Sequence, residues 1–324
     1  MTTITIIIPV KPGGHVAALA ALHTLDAPPH TFEIIVAEGC SPSRQRNTAA
    51  REAQGEIIYF LDDDSRAAPS ALSTIREILA DPAVAVVGGP SLTPEDDTTL
   101  QQLFGAALAS PLGAGAVRNR YRAVGTTRET TDRELILCNL AMRREVFIDF
   151  GGFDERLYPN EENELMDRIA AKGLKLIHAP GMAIRRSQRR TLRQFVRQMF
   201  SYGRGRAQQT LINGHFSPIS FAPLFFLIYL ALLSFVPFSF CYLAPLATYL
   251  FLTAAASLAD AVTNRSPDRL LLTLLYPVMH LANGCGLLYG LCGGRQGRAG
   301  RPSDTPVTLR RIKEFEQQTW PLQQ

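Results

Sequence analysis

Hydrophobic and polar positions follow two alternating periods over residues 3–89. Residues 3–10 form an apolar, β-branched run ended by Pro9 and the Pro12-Gly13-Gly14 turn, and residues 15–25 carry the Ala/Leu pattern of a helix. The alternation then repeats, predicting a strand over 32–37, a helix over 43–54, a strand over 56–61, a helix over 70–80 and a strand over 84–89. Strands joined by helical crossovers imply a mainly parallel sheet covered on both faces. Ligands of such sheets bind beyond the carboxyl ends of the strands. The polar residues there are Glu38, after the second strand, and Asp62-Asp63-Asp64, after the third. Residues 94–132, rich in Gly, Thr and Arg, are weakly periodic and read as a variable, mobile region, and no internal repeat is visible.

The pattern changes in the second half. Leu192, Phe195, Val196, Met199 and Phe200 recur at helical spacing within residues 191–204, which predicts an amphipathic helix. Such a helix suits a membrane interface, with its arginines at phosphate level, or a packed position on the first domain. An apolar tract follows and divides into 218–238, 240–258 and 270–291. Each is near the ~20 residues that span a bilayer. The third carries Pro277, His280 and Asn283, which fits a broken, re-entrant or protein-facing helix. The expected division is therefore an α/β domain over 1–190, an interface helix and linker over 191–215, two to three transmembrane helices over 216–293 and a basic polar tail over 294–324. Three full spans would separate that tail from the first domain, against the positive-inside tendency.

Composition sharpens this picture without changing it. In 324 residues, 46% are hydrophobic and the net charge is +4. The positive charge is local, with eight arginines between Arg185 and Arg206 and six Lys/Arg between Arg295 and Lys313. Both clusters flank the apolar tract, where cations meet anionic headgroups. Nucleic acid is disfavoured because aromatic stacking residues are sparse there. The five cysteines are scattered, without CxxC or metal-type spacing, which fits a reducing compartment. Residues 1–10 lack a basic n-region, so no cleaved secretory signal is predicted and the first domain is expected in the cytoplasm.

The acidic triplet carries the candidate chemistry. Three carboxylates directly after the apolar strand Ile57-Ile58-Tyr59-Phe60-Leu61 repel one another unless a cation lies beside them. Hard oxygen ligands favour Mg²⁺ or Mn²⁺, ions that normally also hold substrate phosphates and act as Lewis acids. Asp64 or Ser65 could instead cap the next helix. Three acids together exceed what capping requires.

The motifs Ile6-Ile7-Ile8-Pro9-Val10, Glu33-Ile34-Ile35-Val36 leading to Glu38, Arg46-Asn47 and Phe60-Leu61-Asp62-Asp63-Asp64 are followed by Asn139, Gly151-Gly152-Phe153-Asp154-Glu155 and Glu161-Glu162-Asn163-Glu164-Leu165 with Arg168 and Gly173. In this order they resemble the family 2 glycosyltransferases over about residues 3–206. The resemblance implies a GT-A fold, an α/β nucleotide-diphospho-sugar transferase with a mainly parallel, Rossmann-like sheet, here followed by transmembrane helices. It also implies donor contacts at Pro9, Glu38, Arg46, Asp62 and Asp63, a Mg²⁺ or Mn²⁺ ion on Asp62 and Asp64, and Glu162 as the catalytic base. Glu161, Arg185 and Arg204 are the expected acceptor or diphosphate contacts. The reaction implied is inversion, with Glu162 taking the acceptor hydroxyl proton.

Residues 193–206 look like the interface region of bacterial enzymes of the succinoglycan-assembly type. A nucleotide-sugar donor, a lipid-linked or glycolipid acceptor and a multi-pass place in the bacterial inner membrane follow as expectations, while the oligomeric state stays open. The sequence also departs from the family. Its second strand ends Ala37-Glu38-Gly39, where two aspartates are usual. Where many relatives have a histidine metal ligand it reads Ile184-Arg185-Arg186, so a cation there could pair with the diphosphate, or a metal could rely on carboxylates alone. His178 reads as a structural histidine. With Trp320 as the sole tryptophan and no Gln-x-x-Arg-Trp element, chain polymerisation is disfavoured. A nucleotidyltransferase, for which Lys11-Pro12-Gly13-Gly14 is a poor phosphate loop, and a non-catalytic membrane scaffold are the competing readings.

Overall fold

A computed structural model describes residues 2–214, 216–235, 239–293 and 305–320. The chain begins with β1 (Ile4–Val10), α1 (Ala18–Leu22), β2 (Phe32–Glu38), α2 (Pro42–Glu52), β3 (Ile57–Leu61), α3 (Ala71–Ile78), β4 (Val84–Gly88) and β5 (Ser91–Leu92). It continues through α4 (Thr99–Ala109), α5 (Pro111–Ala114), β6 (Arg128–Glu129), β7 (Asn139–Arg143), α6 (Arg144–Asp149), α7 (Glu161–Ala170), β8 (Lys175–His178) and β9 (Ile184–Arg185). Four long helices follow, α8 (Leu192–Asn213), α9 (Ala222–Leu233), α10 (Phe240–Thr263) and α11 (Leu272–Cys292), before a last strand, β10 (Thr308–Lys313).

These elements form two compact units. The first comprises Met1–Pro94, Asn119–Ser187 and Ala299–Gln324, and the second Glu95–Arg118 and Gln188–Arg298. The first unit holds an eight-stranded sheet in the order β10-β2-β1-β3-β7-β4-β8-β6. Strands β2, β1, β3, β4 and β8 run one way, and β10, β7 and β6 run against them. The pleat of β1 explains why both faces are covered, since successive side chains point to opposite faces. Ile4, Ile6, Ile8 and Val10 enter a core with Leu19 and Leu22 of α1 and Leu72 and Ile75 of α3. Ile7 enters the other, with Ala49 and Ala50 of α2, Phe147 of α6 and Leu165 and Ile169 of α7.

Two stretches differ from the sequence-based expectation. Within residues 94–132, taken as mobile, the structure has α4, opened by a capping box in which Thr98 and Gln101 satisfy each other's backbone N–H. The helix is held because Phe104 stacks on Phe195 of α8 at 4.2 Å, a long-range contact that local periodicity does not reveal. The second stretch is the expected polar tail, whose residues Thr308–Lys313 form β10, antiparallel to β2. Its polar surface conceals a strand because charged groups find partners. Arg311 pairs with the buried Glu33 at 2.5 Å, and Lys313 donates to the Phe32 carbonyl at 2.8 Å while lying 4.3 Å from that ring.

In the second unit, α10 and residues Pro267–Cys292 are long and apolar enough to cross a membrane, whereas Pro218–Leu233 is shorter. Residues 236–238 of the expected first span lie outside the described residues. Helix α11 is continuous through Pro277. Its polar residues meet protein, as Asn283 donates to the Met199 carbonyl of α8 at 3.3 Å and the His280 ring lies 2.8 Å from the Tyr249 hydroxyl. The amphipathic α8 turns Arg193 and Arg197 outward and buries Phe195 and Met199. Its packing against α11 requires glycine, since a Cβ at Gly203 would stand 2.1 Å from the Asn283 carbonyl and one at Gly286 2.0 Å from that of Phe200.

Candidate active site

The triplet sits at the carboxyl end of β3, where the topology predicts a ligand site. Ser65 shapes the turn, its hydroxyl accepting from the Asp62 N–H at 3.2 Å and donating to the Cys138 carbonyl at 3.3 Å. The next helix, α3, starts at Ala71 with Ser70 before it, so neither Asp64 nor Ser65 caps it. Antiparallel pairing with β7 sets Asn139 opposite Leu61. Asn139 accepts from the buried Tyr59 hydroxyl at 2.8 Å and donates to the Met182 carbonyl at 2.6 Å, fixing the floor beneath the aspartates.

Arginines compensate the acids. Arg46, buried on α2, pairs with Asp62 Oδ1 at 2.8 Å and with Glu161 Oε1 at 3.4 Å. One side chain thus joins the acid at the end of β3 to the first turn of α7. Arg186 Nη2 stands 3.0 Å from Asp62 Oδ2, and its Nε donates to Asp64 Oδ1 at 2.6 Å. Burial works against the charge on Arg186, but Asp62, Cys138 and Asp64 outweigh it and hold its pKa well above the ordinary arginine value. Asp63 shows the opposite balance: burial, then Asp64 and Asp62, raise its pKa in spite of Arg186.

Three glutamates begin α7, and the structure separates their roles. Glu164 forms a two-point pair with Arg168, at 2.7 and 2.9 Å, and Arg168 also donates to the Phe150 and Gly152 carbonyls. That arrangement holds the loop before the helix. Glu162 Oε1 lies 3.8 Å from Arg120 Nη1. Glu161 is 2% exposed, and burial followed by the neighbouring Glu162 pushes its pKa up against the pull of Arg46. The Gly-Gly-Phe-Asp segment is positioned by Asn47, which donates to the Phe153 carbonyl and accepts from its N–H, both at 2.9 Å. Gly152, at φ +74°, passes so close that a Cβ would stand 2.6 Å from Asn47 Oδ1.

The remaining expected positions fall as follows. Pro9 is buried within β1 opposite Ala37. Glu38 closes β2, where it accepts from the Gly13 N–H at 3.1 Å and lies 3.7 Å from Arg310 of β10. Arg185 ends β9. Its side chain is exposed, and Arg186 is the one that reaches the aspartates, because neighbouring residues on an extended segment point to opposite faces. Arg204 lies in the second unit on α8, its carbonyl beside Gly290 of α11. His178 is buried at the end of β8, and burial lowers its pKa, consistent with a structural role.

Two residues escaped the sequence reading. Gln45 donates to the Val10 carbonyl at 2.8 Å and the Ala37 carbonyl at 2.5 Å, tying together the ends of β1 and β2. Arg120 lies in the stretch without periodicity, which gave no signal for it.

The donor set does not fit the expected ion on Asp62 and Asp64. Both Asp62 oxygens and one of Asp64 already face guanidinium groups. Among the described residues no three His, Cys, Asp or Glu side chains gather into a ligand cluster.

With this geometry in place, comparison with known proteins identifies the fold and family. The family model described as "Glycosyl transferase family group 2" matches residues 57–255. The chain is 26% identical to the succinoglycan biosynthesis protein ExoA of Rhizobium meliloti over 321 residues, covering 88% of this chain and 94% of that protein. It is 25% identical to the pre-mycofactocin glycosyltransferase of Mycobacterium tuberculosis over 162 residues, covering 50% of this chain and 33% of that one. The structure of the mannosyltransferase PcManGT from Pyrobaculum calidifontis, in complex with GDP-Man and Mn²⁺, superposes with a TM-score of 0.53 at 19% identity, covering 90% of this chain and 87% of that one. The chain belongs to the family 2 glycosyltransferases and has their GT-A fold.

Proposed function

We propose that this glycosyltransferase moves a sugar from a nucleotide-diphosphate donor to a lipid-linked acceptor at the cytoplasmic face of the bacterial inner membrane, in polysaccharide assembly. The observation that carries this reading is Arg46, which ties Asp62 at the end of β3 to Glu161 at the start of α7. The two acidic motifs are thereby brought together, which suits a donor site beside a base. The likeness to a succinoglycan biosynthesis protein supports a place in polysaccharide assembly, and the two long apolar helices support the membrane.

Pro9, Glu38 and Arg46 line the nucleoside side, with Asp62 and Asp63 beside the ribose and diphosphate. Glu162 takes the proton of an acceptor hydroxyl as its oxygen attacks the anomeric carbon. The carbon–oxygen bond to the diphosphate breaks on the opposite side, and the electron pair leaves with the nucleotide, inverting the anomeric centre. Glu162 suits the base role better than its neighbours, since Glu164 is locked by Arg168 and Glu161 is the more buried and holds Arg46. The basic face of α8, including Arg204, suits a pyrophosphate-linked lipid.

The test is release of nucleoside diphosphate from a panel of UDP-, GDP- and dTDP-sugars by the full-length protein, with lipid-linked saccharides as acceptors. One donor class should be turned over with inversion, and Glu162→Gln should lower kcat by about 10²–10⁴-fold while leaving donor affinity within a few fold. Turnover unaffected by Glu162→Gln would overturn the assignment of the base.

A further inference from the structure

The resemblance leads one to expect a divalent ion against the triplet, yet the chain places a fixed cation there. Arg186 reaches Asp62 Oδ2 at 3.0 Å and Asp64 Oδ1 at 2.6 Å, the two carboxylates that would otherwise hold the ion. Arg46 occupies the remaining oxygen of Asp62 at 2.8 Å. An incoming dication would have to evict one guanidinium and remain beside another of like charge.

The position of Arg186 is built. The Arg185 backbone exchanges hydrogen bonds with that of Arg66 at 2.9 and 3.0 Å, and the Arg186 N–H donates to the Leu92 carbonyl at 2.9 Å. A guanidinium carries five N–H donors in a planar fork. The two aspartates engage the Nε and Nη2 edge of Arg186, leaving the Nη1 edge, and the side chain is 22% exposed. The aspartates therefore orient the arginine, and donors remain for phosphate oxygens, which such a fork suits.

We propose that Arg186 replaces the divalent ion in this chain and supplies the positive charge that meets the diphosphate of the departing nucleotide. This rests on the nucleotide-sugar reading given above. As the bond between the anomeric carbon and the diphosphate oxygen breaks, its electron pair settles on that oxygen. The guanidinium stabilises the charge by hydrogen bonds without losing its own proton, and the acceptor proton goes to Glu162.

The experiment compares donor turnover by the full-length protein after exhaustive EDTA treatment with turnover in added Mn²⁺ or Mg²⁺, for wild type, Arg186→Ala, Arg186→Lys and Arg186→His. In parallel, Mn²⁺ binding in the presence of UDP, GDP or dTDP is followed by electron paramagnetic resonance. Wild-type turnover should stay within about twofold in EDTA, and the protein should bind no Mn²⁺ beyond that held by the free nucleotide. Arg186→Ala should lose about 10²–10³-fold, the scale of removing one electrostatic stabiliser. Arg186→Lys should keep part of the rate in EDTA, and Arg186→His should regain activity with Mn²⁺ alone. The wild-type EDTA comparison decides the matter even if every variant fails to fold. Wild-type turnover lost in EDTA and restored by Mn²⁺ overturns the inference while leaving the transferase reading intact. Absence of both turnover and nucleotide binding, with or without metal, overturns the two together.

Discussion

At the residue scale, the site pairs short acidic runs with arginines drawn from distant parts of the chain. The acids were legible in the sequence because they are clustered: three aspartates follow an apolar strand and three glutamates fall within the first four residues of a helix. Their partners were harder to read. Arg186 is 122 residues from Asp64, and Arg185 differs from it only in which face of an extended segment it occupies, a parity set by the register of β9 on β5. Arg120 had no local signal at all. The raised pKa of Glu161 leads to a stability prediction. A carboxyl whose folded pKa exceeds its ordinary value of 4.5 binds its proton more tightly when folded, so its contribution is full below that value and is lost as pH rises through the folded one. Wild-type Tm should therefore fall relative to that of Glu161→Gln as pH rises from about 4.5 into the neutral range. Parallel Tm profiles for the two proteins would show that Glu161 titrates normally.

At the scale of elements, the strands and helices of residues 3–89 were readable because each has a clear period. Strand β10 and helix α4 were not, since what holds them is tertiary. Only Leu309 and Ile312 of β10 are apolar, and the strand depends on pairing with β2 and on the buried ion pair. Glu33 is fully buried, and its carboxylate is met by the Thr5 hydroxyl, the Gln54 N–H and Arg311. Arg311→Ala should destabilise the first unit by about 1–3 kcal/mol, the scale of leaving a buried charged group short of a partner. Chemical denaturation measures this, and Arg310→Ala, whose partner Glu38 is only partly buried, should cost less.

At the scale of the whole molecule, β10 constrains the path of the chain. The sheet-bearing unit contains residues both before and after the apolar helices, so any membrane is crossed an even number of times between them. Three full spans are therefore incompatible with the fold, and α10 and α11 are the pair of suitable length. A membrane-impermeant maleimide should label the exposed Cys40 and a cysteine placed by Thr308→Cys from the same side. Both should react in inside-out vesicles and neither in intact spheroplasts, and labelling from opposite sides would mean that β10 does not rejoin the sheet.

The most direct measurement of the transferase reading is calorimetric titration of the full-length protein and its Asp62→Asn variant with UDP, GDP and dTDP. One nucleotide should bind wild type, and its affinity should fall by tenfold or more in Asp62→Asn, since Asp62 anchors both Arg46 and Arg186. Equal affinity in the two proteins, or no binding to either, would contradict a donor site at the end of β3.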